Sequence, residues 1–197
     1  MGKQRTGEVA RKTGETAITL SISLDGKGEY TINTGVPFLD HMLTLFSVHG
    51  FFDISIEAQG DTEVDDHHTV EDIGICLGQA VARSLGEKKG IARYGCCYMP
   101  MDETLVRVVV DLSNRPYTHF NAPVPDQKVG TFDTALAKEF LRGFSQHAGV
   151  TLHVDLIHGE NSHHIIEAVF KGLARALRDA VTLVEGLDAP LSSKGSL

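Results

Sequence analysis

The sequence predicts an α+β protein made of two equivalent ββαβα halves, with antiparallel sheets and helices packed on one sheet face. Three observations carry this expectation. Short runs of alternating apolar residues recur at matching places in the two halves. Longer stretches with apolar residues at helical spacing follow them in the same order. Finally, His67-His68-Thr69-Val70-Glu71 returns as His163-His164-Ile165-Ile166-Glu167.

Thr16 to Leu24 alternates as a strand with one buried face, and Asp25-Gly26-Lys27-Gly28 is a turn. Glu29 to Asn33 is expected to pair back on that strand as a hairpin. Pro37 opens a helix, because its missing N–H costs nothing in a first turn, and Gly50 is the expected stop. Phe52 to Ala58 reads as a strand, and Val64 to Leu85 as a helix ending at Gly86. In the second half Leu105 to Leu112 is an apolar strand, Asn114-Arg115-Pro116 a turn, and Tyr117 to Asn121 the returning strand. A helix from about Phe132 to Ala148, a strand from Thr151 to Ile157 and a helix from Ser162 to Val184 complete it. Gly90 marks the seam, giving halves of residues 1–90 and 91–197 in one globular unit. The closing Leu191-Ser192-Ser193-Lys194-Gly195 is too small and polar for a core, so it is a free tail or a binding loop.

A hydrophobic content of 42% with 22% charged residues is that of a chain able to bury a core. The net charge of -8 argues against a nucleic-acid surface, which needs a basic stripe. Any anion site must be a local basic cluster. No apolar run is long enough to span a bilayer or to act as a signal peptide. The 3 Cys include an adjacent pair and make no disulfide framework, which points to a reducing, cytoplasmic setting. Cys76, Cys96 and Cys97 are read as small buried hydrophobes.

The repeated motif carries the chemistry. On a helix its first His and its Glu lie at i and i+4, on one face, and can close on a single ion. The second His points about 100° further round, toward a different ion. Two copies therefore imply two metals, each chelated by one helix and completed by the odd His of another. Superposing Leu45-Phe46-Ser47-Val48-His49 on Gly143-Phe144-Ser145-Gln146-His147 sets His41 opposite Glu139 and nominates both as fourth donors. Imidazole and carboxylate donors without thiolate favour Mn(II). Four protein donors leave positions open on an octahedral ion, as a catalytic site requires. His49, His147, His119, His153 and His158 are read as structural.

Several blocks in order extend this pattern over nearly the whole chain: Pro37-Phe38-Leu39-Asp40-His41-Met42, Asp66-His67-His68-Thr69-Val70-Glu71-Asp72, Ser113-Asn114-Arg115-Pro116-Tyr117, Gly159-Glu160-Asn161-Ser162-His163-His164-Ile165-Ile166-Glu167-Ala168 and Pro190-Leu191-Ser192-Ser193-Lys194-Gly195. On these residues the chain resembles the imidazoleglycerol-phosphate dehydratase family. The resemblance implies a carbon–oxygen lyase of histidine biosynthesis, which turns imidazole glycerol phosphate into imidazole acetol phosphate. It also implies two Mn(II) per active site and a homo-oligomer, a 24-mer built from trimers, with sites at subunit boundaries.

By position, one metal would take His41, His68, His163 and Glu167. The other would take His67, Glu71, His164 and residue 139, where many relatives carry His and this chain has Glu139. Glu15 matches the acid–base position, alongside Glu71 and Glu167 as catalytic carboxylates. His41, His67, His68 and His163 border the substrate as well. Arg93, Arg115, Lys171, Ser192 and Lys194 match phosphate-binding positions, with Ser193 adjacent, and the C-terminal Ser-Ser-Lys-Gly segment would act as a loop that closes over substrate.

The implied chemistry is coherent. The proton to be removed has no neighbouring carbonyl to acidify it, so direct elimination is difficult. An imidazolate held between two metals can expel the adjacent hydroxyl, giving a diazafulvene-like intermediate that loses the next proton to form the enol. Two other readings fit the donors less well: a two-metal phosphohydrolase, and a metal store or assembly module without catalysis.

Overall fold

The computed structural model describes residues 4–196. Its first half runs β1 (Thr6–Lys12), β2 (Thr16–Ser23), β3 (Tyr30–Asn33), α1 (Pro37–Gly50), β4 (Asp53–Gly60) and α2 (His67–Leu85). The second runs β5 (Tyr94–Met101), β6 (Thr104–Asp111), β7 (Tyr117–Asn121), a short hairpin β8 (Lys128–Val129) and β9 (Phe132–Asp133), α3 (Leu136–Ala148), β10 (Thr151–His158) and α4 (Ser162–Val181). The two main sheets have the same topology, β1-β2-β4-β3 and β5-β6-β10-β7. The α+β class and the duplication are as the sequence predicts.

The strand pairing corrects that expectation in two respects. Each half begins with a further strand, β1 or β5, so the repeating unit is βββαβα. The returning strands also do not form hairpins with β2 and β6. Instead β3 runs parallel to β4, with Tyr30 opposite Ile54, and β7 runs parallel to β10, with Tyr117 opposite Thr151. The cause lies in the turns. The Asp53 carboxylate at the head of β4 accepts N–H bonds from Lys27, Gly28 and Glu29 at 2.7–3.1 Å. In the second half Asn114 N–H donates to the Gly149 carbonyl at 2.9 Å and Tyr117 N–H to the Val150 carbonyl at 3.1 Å. Both turns are thereby tied to the strand after the first helix rather than to the one before it.

Smaller boundary differences have local causes. The segment from Val64 stays out of α2, which begins at His67, and Phe132 belongs to β9. The last helix ends at Val181, three residues short of the expected boundary. At the end of α1 it is Phe51, not Gly50, that turns left-handed, with φ 55. Cys76 is buried as expected, and burial pushes its thiol up to about 11, but Cys96 is exposed on β5. No helix among the described residues is long and apolar enough to cross a membrane.

The helices lie between the sheets. α2 packs on β1 and β2, α4 on β5 and β6, and the layers meet where α1 packs on α4 and α2 on α3. One glycine at the same place in each half permits the helix–sheet contact. A Cβ at Gly7 would strike the Ala80 carbonyl oxygen, and one at Gly95 the Ala176 carbonyl oxygen. Ser47 and Ser145 are equally matched, donating to the carbonyls of Phe52 at 2.7 Å and Val150 at 2.6 Å. That equivalence fixes the register in which His41 and Glu139 correspond. Buried apolar side chains from both halves form a single core cluster.

Candidate active site

The α1–α4 contact brings His41, His163 and Glu167 together. Their ligating atoms all lie within 4.8 Å of one another. His163 Nε2 is 3.1 Å from Glu167 Oε2, as i,i+4 spacing on one helix dictates, and His41 Nε2 reaches the same oxygen at 3.5 Å from α1. The Phe38 ring meets His163 edge-on at 5.3 Å and rests on Phe132 at 5.0 Å, so β9 helps to seat the imidazole. Burial works against ionisation of Glu167. The Lys171 ammonium, 3.1 Å from Oε1, together with His163 and His41, nevertheless holds the carboxyl below its usual range. Among the described residues no other set of three metal-capable side chains closes to this distance.

The first-half motif is more open. His67 Nε2 stands 3.7 Å from Glu71 Oε2, both substantially exposed. Glu139 shares a cavity of about 570 Å³ with His67, and its carboxylate is 3.1 Å from Arg142. The structure thus sets Glu139 beside the cavity of the first motif, already ion-paired.

The second His of each motif turns away from these donors, and a carboxylate orients it. His68 Nδ1 is 3.0 Å from Asp61, and His164 Nδ1 is 2.7 Å from Glu103. These contacts raise both imidazole pKa values, chiefly through the hydrogen bonds themselves, and hold Glu103 well below the carboxylate range. Each Nε2 has a further carboxylate nearby: Glu15 Oε1 stands 3.8 Å from His68 Nε2, and Asp102 Oδ2 stands 3.8 Å from His164 Nε2. One chain therefore supplies three converging donors, a His–Glu pair and two oriented but separate imidazoles.

Asp61 and Glu103 escape sequence reasoning. Glu103 is 61 residues from the His it orients, and no spacing rule links them. Asp61 is only 7 residues from His68 but precedes the helix, in a turn with no motif of its own.

A second site lies elsewhere. Arg93, Ser113, Arg115, Ser192, Ser193 and Lys194 line a cavity of about 850 Å³ that includes no member of the donor cluster. Arg93 is the buried anchor. It holds Asp111 through Nε at 2.7 Å and Nη2 at 3.2 Å, and donates through Nη1 to the Leu191 carbonyl at 2.7 Å, fixing the C-terminal loop. The Arg115 side chain is 67% exposed, with Nη2 3.9 Å from Asp111 Oδ2 and Nη1 3.4 Å from the Ser113 carbonyl. Lys171 does not line this cavity. Its position one turn after Glu167 places it at the donor cluster instead.

Such a fold, with imidazole and carboxylate donors suited to a divalent cation and a separate basic, hydroxyl-rich cavity, has the parts of an enzyme for a small phosphorylated molecule. The imidazoleglycerol-phosphate dehydratase family model matches residues 34–177. The imidazoleglycerol-phosphate dehydratase of Desulfotalea psychrophila is 63% identical over 195 residues, 99% of this chain and 98% of its own. The crystal structure of the Staphylococcus aureus enzyme superposes with a TM-score of 0.83 at 50% identity, covering 91% of this chain and 99% of that one. That of Pyrococcus furiosus, in complex with (S)-C348, gives 0.84 at 40% identity, covering 96% and 100%. The chain belongs to the imidazoleglycerol-phosphate dehydratase family. It is a dehydratase, a carbon–oxygen lyase.

Proposed function

We propose that the chain removes water from imidazole glycerol phosphate to give imidazole acetol phosphate, a step of histidine biosynthesis, at a site built around two divalent ions. The convergence of His41, His163 and Glu167 on one point carries this reading. These donors fit such an ion. Glu167 is held ionised, and His68 and His164 are anchored through Nδ1, which leaves Nε2 as the ligating atom. His41, His68, His163 and Glu167 would hold one Mn(II), and His67, Glu71, His164 and Glu139 the other. When bound, the ions would stabilise the deprotonated form of the substrate's imidazole ring.

The chain's own residues do the rest. The ring's electrons expel the neighbouring hydroxyl, which takes up the proton lost from the ring and leaves as water, giving a diazafulvene-like species. Glu15 takes the proton of the next carbon as the ring becomes aromatic again, and the enol so formed tautomerises to the ketone. Arg115, Ser192, Ser193 and Lys194 bind the phosphate, and Arg93, by holding the C-terminal loop, keeps the last three over the substrate so that water is excluded. The His68 and His164 rings are held by carboxylates outside the converging cluster. Neighbouring copies, in a 24-mer built from trimers, would complete each site. The free cysteines support a cytoplasmic setting.

Purified protein loaded with two Mn(II) per chain should form the keto product, lose turnover on chelation and regain it with Mn(II). Loaded protein that yields no ketone would sink the proposal, as would release of inorganic phosphate instead.

A further inference from the structure

The turn that presents Arg115 is braced from beneath by a buried cation. Lys88, just past α2, is only 3% exposed and has a left-handed backbone, φ 55. Its Nζ donates to Asn114 Oδ1 at 2.5 Å and lies 3.4 Å from the Leu112 carbonyl. Asn114 is also left-handed, with φ 56. Gly149 leaves room for this contact, since a Cβ there would sit 2.8 Å from Asn114 Oδ1. The neighbouring residue is fixed as well. Arg115 N–H donates to Ser113 Oγ at 3.2 Å, and its carbonyl accepts from Thr151 Oγ1 at 2.8 Å. Ser113, Asn114 and Arg115 all line the basic cavity, whereas Lys88 lies behind them.

Burying an ammonium is costly when a neutral donor could make the same hydrogen bond. Desolvation pulls the Lys88 pKa down to about 8, opposed by the Asp111 carboxylate on β6 and reinforced by Arg93 ahead of β5.

We propose that Lys88 is a positioning residue of the anion pocket: through Asn114 it fixes the turn that carries Arg115, and its charge adds to the field felt by a bound phosphate group. The inference rests on reading that cavity as the phosphate subsite, and the experiment separates the two. Inhibition by inorganic phosphate, kcat and KM are measured on the assembled, metal-loaded enzyme as wild type, Lys88→Met, Lys88→Arg and Arg115→Ala.

Lys88→Met should raise the phosphate inhibition constant and KM by about tenfold with kcat nearly unchanged, the signature of lost uniform binding. Wild-type phosphate affinity should fall as pH rises past 8, where Lys88 loses its proton. Lys88→Arg should hold its affinity there, because guanidinium does not titrate in this range. Arg115→Ala should weaken phosphate binding at every pH. If Arg115→Ala weakens phosphate but folded Lys88→Met binds it like wild type, the role of Lys88 is overturned. If Arg115→Ala also binds normally, the pocket is not the phosphate subsite and the inference falls with it. Should Lys88→Met fail to fold, the wild-type and Lys88→Arg pH profiles decide, and parallel profiles overturn the proposal.

Discussion

At Glu167 three groups converge on one carboxylate, with His163 one turn before it, Lys171 one turn after it and His41 from the facing helix. The helix alone would supply the first two, and only the helix pairing supplies the third. The same division holds at His68 and His164, whose rings are set by carboxylates outside the motif. A carboxylate on Nδ1 fixes the tautomer and strengthens Nε2 as a donor. Asp61→Asn and Glu103→Gln should therefore each weaken Mn(II) binding by about 10- to 100-fold, read from free Mn(II) by electron paramagnetic resonance. Unchanged affinity in both would remove these residues from the site. Glu15 has a different role in the proposed reaction. Glu15→Gln should lower kcat by about 10²- to 10⁴-fold while leaving two bound metals and the assembly intact. Loss of metal in that variant would instead mark Glu15 as part of the donor shell.

At the level of elements, the two His of each motif sit in the first turn of their helix, so the helix terminus itself sets their geometry. Asn161 caps α4, its side chain accepting from the N–H groups of His163 and His164 at 2.9 and 3.2 Å. Asn161→Ala should cost about 1 kcal/mol of stability, visible as a lower denaturant midpoint, and loosen the pair of rings it holds. An unchanged midpoint would mean that α4 packing alone fixes that turn. The elements the sequence announces most clearly are those with a long apolar period, such as α4, or strict alternation, such as β2. It announces β1 and β5 poorly. Each is an outer strand of its sheet and carries a glycine, Gly7 or Gly95, where a helix carbonyl approaches too closely for a side chain. The parallel pairing of β3 and β7 was equally hidden, because it depends on where a turn is anchored and not on the strand's own residues.

Across the whole molecule, the described residues of one chain bring three donors, His41, His163 and Glu167, to a common point and close no four-ligand site. If neighbouring copies complete the sites, a variant lacking His68 and one lacking His163 should each be inactive yet regain partial turnover when dissociated, mixed and reassembled. Mixtures as inactive as their parents, with mixed assembly shown by mass spectrometry, would confine each site to a single chain. The sequence by itself determined the duplication, the fold class and the residue types of the donor set, because periodicity and i,i+4 spacing are local properties of the chain. It also marked Arg115, Ser192 and Lys194, which the structure gathers into one cavity. Only the tertiary structure decided that His41 joins His163 and Glu167, that the anion cavity forms apart from Lys171, and that Asp61, Glu103 and Lys88 brace the groups in front of them. Those facts depend on helix packing and buried polar contacts between distant segments, for which the linear order of residues carries no local signal.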